Sequence, residues 1–312
     1  MTNQPTASGL PSPLDQPTDL NDYSLSGAFP VGGLTVHHIS DGLAFGPRRS
    51  WFTGIDPEDW MPTLGLTDPD TPFPLNFGVF VIEGSEGITL VDSGFGPAAE
   101  GIPGIRGGNE LMARLSEIGV QPSDVVHIVQ SHCHGDHCGQ LLTQTASGAR
   151  LTFPEAVVHI HQAEVEHWTG PATDGHPMAP KIRETLEVVG AAGKLSTFTA
   201  ISSITPGVVA LPMPGHTPGH TCVLVSDGGE SCILVGDLAH HPVHFENHGW
   251  VHELEHDLDQ SLVSRAALCE MAIGLDAIVT APHMPVLTLG KLHRDESGHV
   301  RWAAVPSTRT DG

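Results

Sequence analysis

The six residues His132-Cys133-His134-Gly135-Asp136-His137 place three imidazoles and a carboxylate in one short run. Chance seldom does that, even in a chain with 21 histidines. The residues just before, Val125-Val126-His127-Ile128-Val129-Gln130, read as a buried strand. Gly139-Gln140-Leu141-Leu142 reads as the first turn of a helix. The candidate ligands therefore sit on a strand-to-helix loop.

Three further signals lie downstream: Pro214-Gly215-His216-Thr217-Pro218-Gly219-His220, then Gly236-Asp237, then Ala281-Pro282-His283. Each follows a short apolar run. Val208-Val209-Ala210-Leu211 precedes His216, Ser231-Cys232-Ile233-Leu234-Val235-Gly236 ends at Asp237, and Ala277-Ile278-Val279-Thr280 precedes His283. In a layered α/β protein the loops beyond strand ends are where sites are built, and distant segments converge there. Imidazole and carboxylate donors without thiolate suit Zn²⁺, with Mn, Fe and Co as alternatives.

A lone histidine is more often an ordinary core or surface residue than a ligand. That reading applies to His37, His38, His127, His159, His161, His167, His244, His248, His252, His256, His293 and His299. His220, His240 and His241 lie near the cluster in sequence and are candidates for orienting the ligands from behind. Cys133 and Cys138 flank ligands and read as small buried filler.

The ordered set H-x-H-x-D-H, then His, Asp and His, resembles the metallo-β-lactamase superfamily over roughly Leu34 to Val305. The resemblance implies a four-layer αββα sandwich with the site between two sheets. It implies two divalent metal ions, one held by His132, His134 and His216, the other by Asp136, His137 and His283, with Asp237 bridging. An open position at each ion marks a catalytic site. A hydroxide between the ions is the implied nucleophile. Asp92-Ser93-Gly94 resembles the family's Asp-Thr-Gly turn, which buttresses the metal loops.

Within the superfamily, Phe153-Pro154-Glu155-Ala156-Val157, the Pro214–His220 segment and Gly236-Asp237-Leu238-Ala239-His240 look like the methyl-parathion-hydrolase-like and lactonase-like branch. This implies hydrolysis of a lactone, carboxylic ester or phosphotriester. Asp237 at the bridging position differs from the usual zinc β-lactamases, and His134 from the Glu of flavin-linked diiron reductases. The alternatives are a glyoxalase-II-like thioesterase and an iron-dependent sulfur dioxygenase. The homoserine lactonases carry a Tyr three residues after the bridging Asp, where this chain has His240. No Tyr follows Tyr23. His240 is therefore either a donor or acid toward the leaving oxygen, making it catalytic beside Asp136 and Asp237, or a support for a ligand.

The chain has 312 residues, 39% of them hydrophobic, enough for one large domain or two small ones. The net charge of −23 reflects 36 acidic against 13 basic residues, with lysine only at Lys181, Lys194 and Lys291. Such a surface repels nucleic acid and anionic membranes and weakens a nuclease reading; the family branch implies a small-molecule substrate. The N-terminus shows neither a basic region nor an apolar run. With five cysteines this points to reduced thiols in the cytoplasm. The family resemblance implies a homodimer.

Residues 1–30 are rich in Pro, Ser, Thr and Asp and read as a flexible arm before a single domain over 31–312. The Pro-rich stretch from Phe45 to Pro74, with Trp51, Phe52, Trp60, Met61 and Phe73, reads as an irregular wall of a substrate pocket. Leu258 to Gly274 reads as a long helix with Leu262, Ala266, Leu268, Cys269, Met271 and Ala272 on its apolar positions.

Overall fold

Period-two alternation builds the core. In the computed structural model, which describes residues 25–47 and 49–306, Val79 and Val81 turn to one face of a long strand while Phe80 and Ile82 turn to the other. That strand belongs to an eight-stranded sheet made of β1 (Ser26–Val31), β2 (Leu34–Gly46), β3 (Phe73–Gly84), β4 (Gly87–Val91), β5 (Ile105–Gly107), β6 (Val125–Val129) and, after a separate hairpin β7 (Leu142–Thr145) and β8 (Gly148–Leu151), β9 (Val157–His161) and β10 (Leu195–Phe198). The path is β1-β2-β3-β4-β6-β9-β10, with β5 against β2. The second sheet takes β11 (Ser202–Thr205), β12 (Val208–Pro212), β13 (Thr221–Asp227), β14 (Glu230–Leu234), β15 (Ile278–Thr280), β16 (Gly290–Arg294) and β17 (Val300–Ala304) in sequence order.

The sheets stack face to face. Val36, Phe80, Ile82 and Val129 from the first meet Val208, Ala210, Val223, Val225 and Leu234 from the second. Each buried valine, leucine, isoleucine or phenylalanine here contributes about 1.5–3 kcal/mol. The helices, numbered in chain order, are α1 (Pro57–Trp60), α2 (Leu111–Glu117), α3 (Gly135–Cys138), α4 (Gln162–Thr169), α5 (Ala179–Ala191), α6 (Val243–Glu246) and α7 (Leu258–Gly274). Leu111, Leu115, Trp168, Ile182 and Leu186 of α2, α4 and α5 pack on the outer face of the first sheet; Leu268, Cys269 and Ala272 of α7 cover the second. The result is the expected four-layer αββα sandwich. No helix among the described residues is long and apolar enough to cross a membrane.

Four expectations need correction. The flexible arm was expected to reach residue 30, but β1 already pairs with β2 from Ser26, and Phe29 and Val31 enter the inter-sheet core. Residues 1–24 of that arm lie outside the described residues. No helix begins at Gly139. The single turn is α3, made of the ligand run itself, and the Gly139 N–H turns away to the Gly94 carbonyl at 2.9 Å before β7 starts.

The Phe45–Pro74 stretch is not wholly irregular: β2 and β3 take two residues at each end, short helical turns lie between them, and Trp51, Phe52 and Trp60 are turned inward, only 1–2% exposed. They form their own small core with Leu64, Leu66 and Val243, with Phe52 stacked on Trp60 at 4.4 Å. On α7, Ala266 is exposed and the buried face opens with Ser261, Ser264 and Arg265. The reason is what that face meets. Ser264 donates to the Pro214 carbonyl, and Arg265 to the carbonyls of Leu238, His248 and Trp250. Loops with unpaired carbonyls call for donors, not methyl groups.

Candidate metal centre

The four ligand-bearing segments leave β6, β12, β14 and β15 at the same end of the sandwich. Backbone ties fix their approach. Thr221 N–H donates to the Ser131 carbonyl, joining the His216 loop to the His132 loop. Asn76 and Gly78 of β3 donate to the carbonyls of His283 and Pro282. His220 donates from Nδ1 to the Met213 carbonyl at 3.0 Å and accepts the Asp237 N–H on Nε2 at 3.0 Å. Gly236 must be glycine there: it holds φ of 55°, and a Cβ would stand 2.6 Å from that same His220 nitrogen. His220 thus sets the Asp237 turn, and burial lowers its pKa to about 4, which keeps Nε2 an acceptor.

All seven predicted ligand positions meet. His134 Nδ1 lies 3.0 Å from His132 Nε2 and 3.1 Å from His216 Nε2. His137 Nε2 lies 3.3 Å from His283 Nε2, and Asp136 Oδ2 lies 3.7 Å from each of them. Asp237 stands between the two groups. Its Oδ2 is 3.4 Å from His216 Nε2 and 3.1 Å from His283 Nε2, and its Oδ1 is 3.2 Å from His137 Nε2. His132, His134, His216 and Asp237 form one set of possible donors, and Asp136, His137 and His283 another.

The donor chemistry fits cations. His283 Nδ1 faces the Asn76 carbonyl at 2.7 Å and must donate, so Nε2 presents a lone pair. His137 donates from Nδ1 to Asp92 Oδ2 at 2.8 Å and likewise turns a lone pair inward. His132 Nδ1 is held by Ser131 Oγ at 3.1 Å. Inward lone pairs and a buried carboxylate within 3.3 Å of one another repel unless a cation or an added proton sits among them. Proton affinities report the same demand. Burial pushes His132 and His134 well below the usual histidine range. At His137 burial opposes the charge, yet Asp237, Asp136 and Asp92 outweigh it and raise the pKa well above that range. Burial likewise works against ionised Asp237, but His137, His283 and His132 hold it well below the usual carboxylate range.

His240 also enters the site. Its Nε2 lies 3.5 Å from Asp237 Oδ2, and its ring stacks on His283 at 5.1 Å. His252, read from sequence as ordinary, stacks on its other face at 4.4 Å. Burial lowers the His240 pKa well below the usual range, so the ring is neutral near pH 7. His244, also read as ordinary, accepts the His240 N–H on Nδ1 and faces the Trp51 carbonyl with Nε2 at 3.2 Å. His241 lies behind, 6.0 Å from the Trp51 ring.

Sequence reasoning missed two carboxylates. Glu255 Oε2 lies 3.8 Å from His216 Nδ1, and Glu164 is fully buried between loops. His132, His137, His216 and His283 are buried, whereas His134, Gly135 and Asp136 are half-buried beside Phe95 and Met178.

An αββα sandwich carrying seven histidine and aspartate donors on one rim defines a metal-binding class of protein, and the comparisons identify it. The metallo-beta-lactamase superfamily profile matches residues 79–282, and the chain belongs to that superfamily. It is 30% identical over 192 residues to a probable metallo-hydrolase of Mycobacterium tuberculosis, a match covering 52% of this chain and 56% of the relative. It is 27% identical over 172 residues to an N-acyl homoserine lactonase of Bacillus cereus, covering 50% and 60%. The chain thus spans little more than half the length of these curated relatives. In fold it is similar to AidC, a dizinc quorum-quenching lactonase in complex with a product, with a TM-score of 0.79 and 23% identity, covering 91% of this chain and 99% of that one. The hydrolase AbOPH gives a TM-score of 0.78 at 20% identity, with the same coverage.

Proposed function

We propose that the protein is a dinuclear metal-dependent hydrolase that cleaves a lactone, carboxylic ester or phosphotriester. The observation that carries this is Asp237, a buried carboxylate facing three-donor groups on either side at 3.1–3.4 Å. The ions in this reading are divalent, zinc first. His132, His134 and His216 would hold one, Asp136, His137 and His283 would hold the other, and Asp237 is the carboxylate available to both. Bound there, they supply a water-derived nucleophile near neutral pH and polarise the electrophilic carbonyl or phosphoryl group.

The chain's own residues do the rest. The half-buried 134–136 edge admits substrate, and Phe95 and Met178 beside it offer apolar contact to an acyl or aryl group. Asp237 offsets the cationic charge inside a buried site. In this reading His240, neutral and stacked between two rings, donates a hydrogen bond to the substrate oxygen that gains charge; its stacking beside Asp237 supports this. Relatives named as lactonases support the ester and lactone classes.

Elemental analysis of protein purified without chelator tests the ions, and the expected value is close to two per chain. A hydrolysis panel of acyl-homoserine lactones, aryl esters, thioesters and phosphotriesters then ranks substrates. A reproducible single iron with oxygen-dependent activity would overturn the hydrolase reading in favour of a dioxygenase.

A further inference from the structure

Glu164 on α4 is fully buried, and every hydrogen bond to its carboxylate leads toward the same three histidines. Oε1 accepts the Cys133 N–H at 2.9 Å and the Trp168 Nε1–H at 2.8 Å, and Oε2 accepts the Gly219 N–H at 3.1 Å. Cys133 is the residue between His132 and His134. Gly219 belongs to the loop that carries His216. The Trp168 ring stands edge-on to His134 at 6.0 Å. The His216 loop approaches so closely that a Cβ on Gly219 would lie 2.4 Å from the Glu164 nitrogen and 2.6 Å from its Cβ. Glu164 makes no hydrogen bond to the other side, where His137 leans on Asp92, which also reaches His132 through Ser131, and His283 leans on the Asn76 carbonyl.

We infer that Glu164 is a positioning residue for the His132–His134–His216 group alone, setting the spacing of its nitrogens and so the affinity of the ion held there. This rests on the reading that the group binds an ion. The mechanism is geometric. Ligand atoms hold an ion only within a few tenths of an ångström of their ideal places. A carboxylate pulling two loops and an indole toward one point fixes three imidazoles at once. A glutamine of the same shape has one accepting oxygen, and its amide would meet an N–H head-on, leaving a buried donor unmatched.

Single-group backgrounds separate the two sites. In His283→Ala only the first group is complete, and in His216→Ala only the second. Glu164→Gln is placed in each, and zinc affinity is measured by competition with a chromophoric chelator. The expected result is a loss of 10- to 100-fold in the His283→Ala background, the range for outer supports of metal ligands, and less than about 2-fold in the His216→Ala background. Equal losses in both, or none in either, would overturn the proposal. If Glu164→Gln does not fold, Trp168→Phe removes one donor and keeps the ring bulk. A selective loss for the first group then supports the inference, and unchanged affinities overturn it. Failure of the parent chain to take up zinc at all would strike the metal reading and not the role of Glu164 within it.

Discussion

His137 and His132 share one carboxylate oxygen. Asp92 Oδ2 accepts His137 Nδ1 directly at 2.8 Å and reaches His132 Nδ1 through the Ser131 hydroxyl, 2.7 Å from the oxygen and 3.1 Å from the ring. One side chain on the turn after β4 therefore orients a histidine in each group. Asp92 itself holds φ of 67°, a backbone conformation that costs about 1–3 kcal/mol in a residue with a side chain. Asp92→Asn should weaken both ions together, by about 10- to 100-fold each. Zinc competition titrations check this. Loss of one ion with the other untouched would show that the shared oxygen does not couple the groups.

Asp237→Asn keeps shape and burial but removes the charge. The neutral amide offsets no cation, and its NH₂ would face imidazole nitrogens already turned toward that side. The variant is expected to retain less than its full complement of metal and to lose turnover by two orders of magnitude or more. Metal content and kcat on the best panel substrate are the measurements. Near-normal values for both would remove Asp237 from the bridging position.

His240→Ala should discriminate between leaving groups. A neutral ring donating one hydrogen bond matters most where the departing oxygen is a poor leaving group. Alkyl esters and lactones are expected to slow by roughly 10²-fold, and activated aryl esters by much less. Equal losses on both classes, with metal content unchanged, would reduce His240 to a support for its stacking partner His283.

Stability should fall on mild acidification. His38 is buried against Phe80, with Nε2 3.1 Å from the Asn76 amide, and burial lowers its pKa to about 3. The unfolded chain takes up this proton near pH 6.5, the folded chain only near pH 3. The contribution is thus fully present above pH 6.5 and drains away as pH falls toward 3, at about 1.4 kcal/mol per unit. His159, lowered to about 4 by burial and by His127, acts in the same direction. Urea midpoints at pH 7.5, 6 and 5 should decline for the parent chain and decline less steeply for His38→Leu. Parallel slopes would mean that His38 protonates without cost.

The residues that meet at this rim were legible because each stands within a few residues of the end of a short apolar run, and the strand pattern says which end of the sheet they share. Two of the supports were legible as well, Asp92 from its turn and His220 from its place beside the cluster; the others were not. Glu164 binds the Cys133 amide 31 residues away, and Arg265 binds the Leu238 carbonyl 27 residues away. Backbone partners leave no mark in a sequence, so a buried carboxylate or guanidinium looks like any surface charge. Asp41 shows the same blindness. It gathers the N–H groups of Phe95, Gly96, Glu110 and Leu111 and the Gln140 amide, yet its sequence context reads as strand end. The aromatic residues after Phe45 were read as a pocket wall because a stretch rich in both proline and tryptophan does not reveal that its rings pack on one another.

The two nitrogens of His244 have one further consequence. A single planar ring spans from the Trp51 carbonyl to the His240 amide, and no other ring offers an acceptor on one side and a donor on the other at that width. The segment around Trp51 and the turn at 240–246 are therefore one mechanical part, although nearly two hundred residues separate them. Grafting either stretch from a relative, as in building chimeras, requires moving its counterpart along with it.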